Sequence, residues 1–483
     1  MSTLYVFCIG GTGALCLESL VHLCATGQGP DKLVPVLMDP DSNNANVSRT
    51  VGIVNQYREI RQSLDAGYTG GYFGTLIEPA EGTLTWSPLP KKANSTLADI
   101  VRLRGMEDTL RDLTEALFSQ AQLNQPLEQG FRGNPSIGSV LMQAIEDEPF
   151  FANIAGKIKN DPDAAVFVFG SVFGGTGASG FPVTARLVRT RVPDARVGGA
   201  LILPYFSIGQ PNGNDPNGLL RPDSAQFLLN TIGALPYYSR EGSSFDSLYY
   251  LGDNLSLARE RPYAAGGPDQ ESTAHGVELL AALGALHFLR TGRDSLSPAY
   301  YVGVSGRDLG WGDLPGLDPG KLNSFTSFGI FLREYFSRGI QENINEFERD
   351  AFKQAWIADL KLPASFFRDR QQFLQKLTAY LGSYFRWLGE MHATTIALDL
   401  YHPEFRIDRY QKHHHPRSRR FMGVSTGKPD SLSISGVNAF CNAVARTSNG
   451  GGDLTRFIDH MRLGMDAYNE DWYKINAPDW ART

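Results

Sequence analysis

Phe169-Gly170-Ser171-Val172-Phe173-Gly174-Gly175-Thr176-Gly177-Ala178-Ser179-Gly180 follows directly on the apolar run Ala164-Ala165-Val166-Phe167-Val168. A short, continuous apolar run ahead of glycines has the pattern of a strand buried on both faces. Gly174, Gly175, Thr176 and Gly177 read as a loop whose backbone N–H groups can converge, because glycine puts no Cβ in the way. A helix beginning near Ala178 would aim its unpaired N–H groups and its dipole at the same point. Strand, glycine loop and helix start together make an anion site, and phosphate is the usual occupant.

Outward from this stretch, strands and helices alternate. Leu4–Ile9 is a short apolar strand, Gly10–Gly13 a loop, and Ala14–Ala25 a helix with leucines at helical spacing. Leu33–Met38 is a second strand, followed by the polar run Asp39–Arg49. From about Ser48 to Gly133 the pattern is less regular, with one helix expected over Ser95–Gln122. Helical patterns at Ile137–Ile145 and Phe150–Ile158 lead into the strand at Ala165. Val197–Leu203 is a further strand, ending at Pro204-Tyr205-Phe206. Such a βαβα series predicts an α/β fold with a doubly wound, mainly parallel sheet, whose ligands bind at the carboxyl ends of the strands.

Beyond it, a helix is expected over about Asp223–Tyr238, and a strand at Ser247–Leu251 that ends in Gly252-Asp253-Asn254. A long apolar central helix follows over about Glu271–Leu289, carrying Leu279, Leu280, Leu283, Leu286 and Leu289. After the Gly306–Gly320 loop, helices near Phe331–Ile357, Ser365–Ala393 and Asp453–Tyr468 suggest a mixed, helix-rich C-terminal domain. The predicted division is 1–290, enlarged over about 50–132, and 291–483.

The 483 residues are 42% apolar and 20% charged, an ordinary soluble composition. The formal net charge of −6 argues against a general nucleic-acid surface. No apolar run reaches the length of a membrane span. The N-terminal apolar residues lack a basic leader and are interrupted at Gly10–Gly13, which reads as a first strand and helix, not a signal peptide. Cys8, Cys16, Cys24 and Cys441 have no CxxC spacing, so buried, reduced thiols in a cytoplasmic protein are expected. His413, His414 and His415 stand beside Arg417, Arg419 and Arg420. Consecutive residues diverge on any regular element, so this run reads as an exposed loop and not a metal site.

Ile9-Gly10-Gly11-Thr12-Gly13-Ala14, with Asp39 downstream to hold a ribose, would by itself suit a Rossmann domain. Cys16 occupies the place of the last fingerprint glycine. A second glycine loop from another strand of the same sheet changes the reading, since two loops can grip a phosphate chain from both sides.

Four motifs in one order resemble the tubulin/FtsZ superfamily, and within it the divergent bacterial tubulin-like proteins. Gly174-Gly175-Thr176-Gly177-Ala178-Ser179-Gly180, with Ser171 ahead of it, is similar to the family's glycine signature. Asp39-Pro40-Asp41 with Arg49 ten residues after Asp39 is similar to its acidic loop. Leu203-Pro204-Tyr205-Phe206 and Asp253-Asn254 resemble its later strand ends. The likeness covers about residues 4–290. It implies a GTP or GDP site formed by Gly10, Gly11, Thr12, Gly13, Ser171, Gly174, Gly175, Thr176 and Gly177. Asp39 and Asp41 would sit near Mg²⁺, through water, or ribose. Pro204 and Tyr205 would line the site, Asn254 would read the base, and His275 would pass beside it. Arg132-Gly133-Asn134-Pro135-Ser136 is either the family's third phosphate loop, with Gly133 and Asn134 at the nucleotide, or a helix start capped by Ser136.

The resemblance further implies self-association into filaments, with GTP hydrolysed only when a neighbouring copy supplies acidic residues from the loop after the central helix. Asp308, Asp313 and Asp318 lie in that region, without the family's Asn-x-Asp pattern. The leading expectation is therefore a tubulin-like GTP-binding protein with weak or assembly-dependent GTPase activity. Two alternatives stand beside it: a nucleotide-sensing scaffold with a protein partner on residues 325–483, and a Rossmann-type NAD-dependent or adenylating enzyme.

Overall fold

A computed structural model describes residues 2–41, 43–89, 95–127, 130–131, 133–208, 224–241, 244–253, 260–261, 267–301, 314, 316–392, 434–444 and 451–476. Its centre is an eight-stranded sheet, all of whose strand pairs are parallel. The strands are β1 (Thr3–Ile9), β2 (Lys32–Met38), β3 (Leu76–Ile77), β4 (Thr85–Trp86), β5 (Ala165–Ser171), β6 (Arg196–Ile202), β8 (Ser247–Leu251) and β10 (Ala299–Tyr301). Two short segments, β7 (Ser207–Ile208) and β9 (Glu260–Arg261), pair apart from it. Every residue of β1 and β5 is buried, as expected of strands covered on both faces.

The order is β10-β8-β6-β5-β1-β2-β3, with β4 pairing with β2. The chain first moves from β1 to β2, then returns to β5 on the other side of β1 and proceeds outward. The winding direction thus reverses between β1 and β5. Right-handed crossovers then put the helices that follow these two strands on opposite faces. Helix α1 (Gly10–Ala25) packs on α2 (Ala45–Gln62) and on the central helix α10 (Gly276–Arg290). Helix α8 (Gly175–Arg191) packs on α6 (Pro135–Leu141).

Among the described residues the remaining helices are α3 (Leu97–Ile100), α4 (Asp108–Leu117), α5 (Gln120–Asn124), α7 (Pro149–Lys159), α9 (Ser224–Glu241), α11 (Pro319–Phe331), α12 (Arg338–Ala351), α13 (Ala355–Asp359), α14 (Phe366–Asp369), α15 (Gln371–His392), α16 (Ile434–Ala443) and α17 (Asp453–Asn476). The C-terminal helices close onto the first half through α15, which packs on α2. Trp387 Nε1 donates to Ser19 Oγ at 3.1 Å, and Tyr380 OH lies 3.1 Å from His22 Nδ1. Both halves contribute to one continuous apolar cluster.

Several local expectations are corrected. The single helix over Ser95–Gln122 is broken into α3, α4 and α5. Arg102 sits in the left-handed region at φ 54°, and Thr96 and Ser119 each build a capping box that starts a new helix. The less regular stretch expected from about Ser48 opens inside the regular 18-residue α2, which starts at Ala45 and whose buried face mixes Asn46, Thr50 and Arg61 with Val47, Ile53, Val54, Tyr57 and Ile60. The central helix begins five residues later than expected, because His275, in the extended region, forms a capping box with Glu278 and starts the helix at Gly276. The helix expected over Phe331–Ile357 is interrupted by a π-helical stretch at Leu332–Ser337 and by non-helical Asn343. Asn134, not Ser136, occupies the cap position of α6, with Pro135 as the first helical residue. The His413–His415 run lies outside the described residues.

Candidate functional site

Both glycine stretches are first turns of helices and not loops: α1 starts at Gly10, not Ala14, and α8 at Gly175, not Ala178. The N–H groups of a first turn have no intrahelical partner, and glycine, lacking a Cβ, leaves them unobstructed and lets the turn pack closely on its strand. Gly10 leaves β1 at φ +70°, a conformation that favours glycine and turns the chain directly into α1. Gly177 lies so tightly on the end of β5 that a Cβ there would stand 2.5 Å from Ser171 Oγ and 2.7 Å from the Ser171 N and O atoms.

Because β1 pairs directly with β5, with Cys8 level with Phe169, the two turns start side by side. A Cβ on Gly10 would be 3.4 Å from Thr176 Cβ and 3.7 Å from Gly177 N. Two helix N-termini from opposite faces of the sheet therefore open on one crevice, at the point where the strand order reverses. Open parallel sheets bind ligands at such a point. The partial positive charge of both dipoles meets there.

Other expected residues gather around it. The third turn abuts α8, since a Cβ on Gly175 would lie 3.0 Å from Asn134 N and 3.1 Å from Gly133 N. Asp39 and Asp41 follow β2, both buried. Asp39 Oδ1 accepts the Asp41 N–H at 2.9 Å, and Asp41 Oδ2 accepts the Gly267 N–H at 2.6 Å. Burial pushes the Asp39 carboxyl up to about 7, aided by the Asp41 charge and opposed by the Asp41 N–H. Tyr205, after β6, is buried with its ring 5.0 Å from that of His275, and its hydroxyl donates to Glu278 Oε1 at 2.6 Å. Pro204 precedes it at the end of the same strand. His275 caps α10, with Nε2 3.6 Å from Asp253 Oδ2.

Asn254, Asp308 and Asp313 lie outside the described residues. Asp318 is placed away from the glycine turns: it caps α11, and its N–H donates to Gln28 Oε1, in the connection that enters β2 at the amino end of the sheet. Sequence reasoning missed Asn44 and Asn46, whose side-chain amides would lie 3.2 Å from a Cβ on Gly11. The polar run between Asp39 and Arg49 was the signal for them.

Arg49 does not point at the crevice. It divides between Glu18, at 2.6 Å, and Glu390, at 2.7 Å. Among the described residues no group of three or more His, Cys, Asp or Glu side chains is placed to hold a metal directly. No helix there is long and apolar enough to cross a membrane. A cavity of about 520 Å³ between α6, α8 and α9 touches Val172 and Ala178 but not the α1 turn, so it lies beside the crevice. No protein-family model matches this chain, and no curated protein does.

Proposed function

We propose that the chain binds a nucleoside triphosphate in the crevice between the α1 and α8 first turns, and that GTP is the nucleotide. The observation that carries this reading is the convergence of the Gly10–Gly13 and Gly174–Gly177 backbones at the β1/β5 reversal. Main-chain N–H groups from two helix starts can grip a polyphosphate from both sides, with Gly133 and Asn134 as a third contact. The choice of GTP rests on the resemblance to the tubulin/FtsZ superfamily, because phosphate turns do not read the base.

Asp39 and Asp41 suit a hydrated Mg²⁺: they are oxygen donors close to the turns, and a cation there would favour the ionised form of Asp39 against the burial that raises it. Bound there, Mg²⁺ would offset phosphate charge. Asp39 Oδ1 and the Asn44 amide hold the acidic loop in place around that position.

Hydrolysis is proposed as weak or dependent on self-assembly. Asp318 is exposed at the amino end of the sheet, opposite the crevice. In a head-to-tail stack of copies, that end of one chain would meet the crevice of the next. A scaffold that binds nucleotide without turnover differs from this only in phosphate release.

A dinucleotide enzyme is the second reading. Asp39 directly after β2 suits a ribose diol, and the strand order is that of dinucleotide-binding sheets. It leaves the α8 turn without a role. Isothermal titration with GTP, ATP and NAD separates the readings. GTP binding with little NAD affinity is expected, and absence of GTP binding at millimolar ligand refutes the proposal.

A further inference from the structure

The strap of residues 267–275 that enters α10 is tied along its length to the loop after β2 and the start of α2. Gly267 N–H donates to Asp41, Asn44 Nδ2 to Gln270 Oε1 at 3.0 Å, and Ser272 N–H to Asn46 Oδ1 at 2.8 Å. Arg49 Nη1 donates to the Ser272 carbonyl at 3.1 Å. The remaining tie comes from far away in sequence. Glu390, near the end of α15, accepts the Ala274 N–H at 2.8 Å through the same Oε2 that accepts Arg49 Nη2 at 2.7 Å.

These groups are withdrawn from water. The side chains of Arg49, Glu18 and Glu390 are 6%, 1% and 17% exposed, so the contacts are screened little by solvent. One carboxylate on a C-terminal helix thus fixes both the arginine at the base of the acidic loop and the strap that ends in the His275 cap. Loss of Glu390 would remove the acceptor of the Ala274 N–H and leave Arg49 with Glu18 and the Ser272 carbonyl.

We infer that Glu390 is a positioning residue through which α15 sets the affinity of the crevice for nucleotide. The inference rests on the nucleotide reading above. Strap, acidic loop and α15 move as one, so bound nucleotide holds α15 against α1 and α2, and α15 in turn favours the binding-competent strap. Such coupling is reciprocal between the two sites.

The test uses the full chain, with fluorescent GTP titration and hydrogen–deuterium exchange. Glu390→Ala weakens nucleotide binding about 10-fold and speeds exchange in peptides covering 267–275. Glu390→Gln, which keeps an acceptor for Ala274, recovers part of the affinity. In the unaltered protein, nucleotide slows exchange in 371–392, a readout that needs no variant to fold. If Glu390→Ala keeps both its melting temperature and wild-type affinity, or nucleotide leaves 371–392 unchanged, the inference is overturned and the nucleotide reading survives. If the unaltered chain binds no nucleotide, both are overturned.

Discussion

Replacing Asp39 with asparagine should stabilise the nucleotide-free protein above neutral pH. The folded chain holds the Asp39 proton up to about pH 7, whereas the unfolded chain releases it near 3.8. A carboxyl raised in the folded state contributes stability that is fully present below about pH 3.8 and is lost as pH rises to about 7. The gap of about three pH units, at 1.36 kcal/mol each, amounts to about 4 kcal/mol. Asparagine carries no such pH dependence. Its oxygen keeps the Asp41 N–H, but its amide faces the Asn44 amide where Asp39 Oδ2 now accepts at 3.4 Å. That lost bond costs about 1 kcal/mol. The variant should therefore exceed the wild type by about 3 kcal/mol at pH 8 and differ by less than about 1 kcal/mol at pH 5. Urea unfolding across this range, without nucleotide, measures it. Parallel pH profiles for the two proteins would refute the burial-raised Asp39 carboxyl. In the wild type, Mg²⁺–nucleotide binding at pH 6 should release close to one proton, read by calorimetry in buffers of different protonation enthalpy.

Gly177→Ala should lose about 1–2 kcal/mol in denaturant unfolding, since a Cβ against the Ser171 backbone outweighs the helical gain over glycine, whereas Gly52→Ala in α2, with nothing within 4 Å, should gain up to about 1 kcal/mol. Equal responses would contradict the close seating of α8 on β5. Removing the Tyr205 hydroxyl by Tyr205→Phe should cost about 1–2 kcal/mol, because the fully buried Glu278 loses a short hydrogen bond; an unchanged midpoint would argue against that contact. Arg49→Met should destabilise by about 3–5 kcal/mol, leaving Glu18 buried beside Glu390, and a smaller loss would mean that water reaches the pair. Burial raises all four thiols, Cys24 and Cys441 to about 12, so a thiol reagent should modify none of them before unfolding and all four after it.

The parallel sheet was legible because β1 and β5 are mostly apolar runs that lead into glycine turns, while the apolar stretches of β2 and β6 end at Asp39 and Pro204. The pairing of the two glycine turns was an inference from those runs, and the β1–β5 ladder places them together. Helix α2 was obscured by the polar groups on its buried face: Asn46, Thr50 and Arg61 find partners there, which periodicity of apolar residues does not register. The first turns of α1 and α8 read as loops because glycine disfavours helix interiors, yet at a helix start its lack of a Cβ permits close packing on the strand. Glu390 was invisible from sequence, since its partner Arg49 is 341 residues away and nothing local marks either as a contact.

A structure of the chain with Mg²⁺ and a slowly hydrolysed GTP analogue tests the central claim most directly. The phosphates should lie within hydrogen-bond distance of main-chain N–H groups in both the Gly10–Gly13 and Gly175–Gly177 turns. A nucleotide seated instead in the cavity between α6, α8 and α9, or touching only one of the two turns, would contradict it.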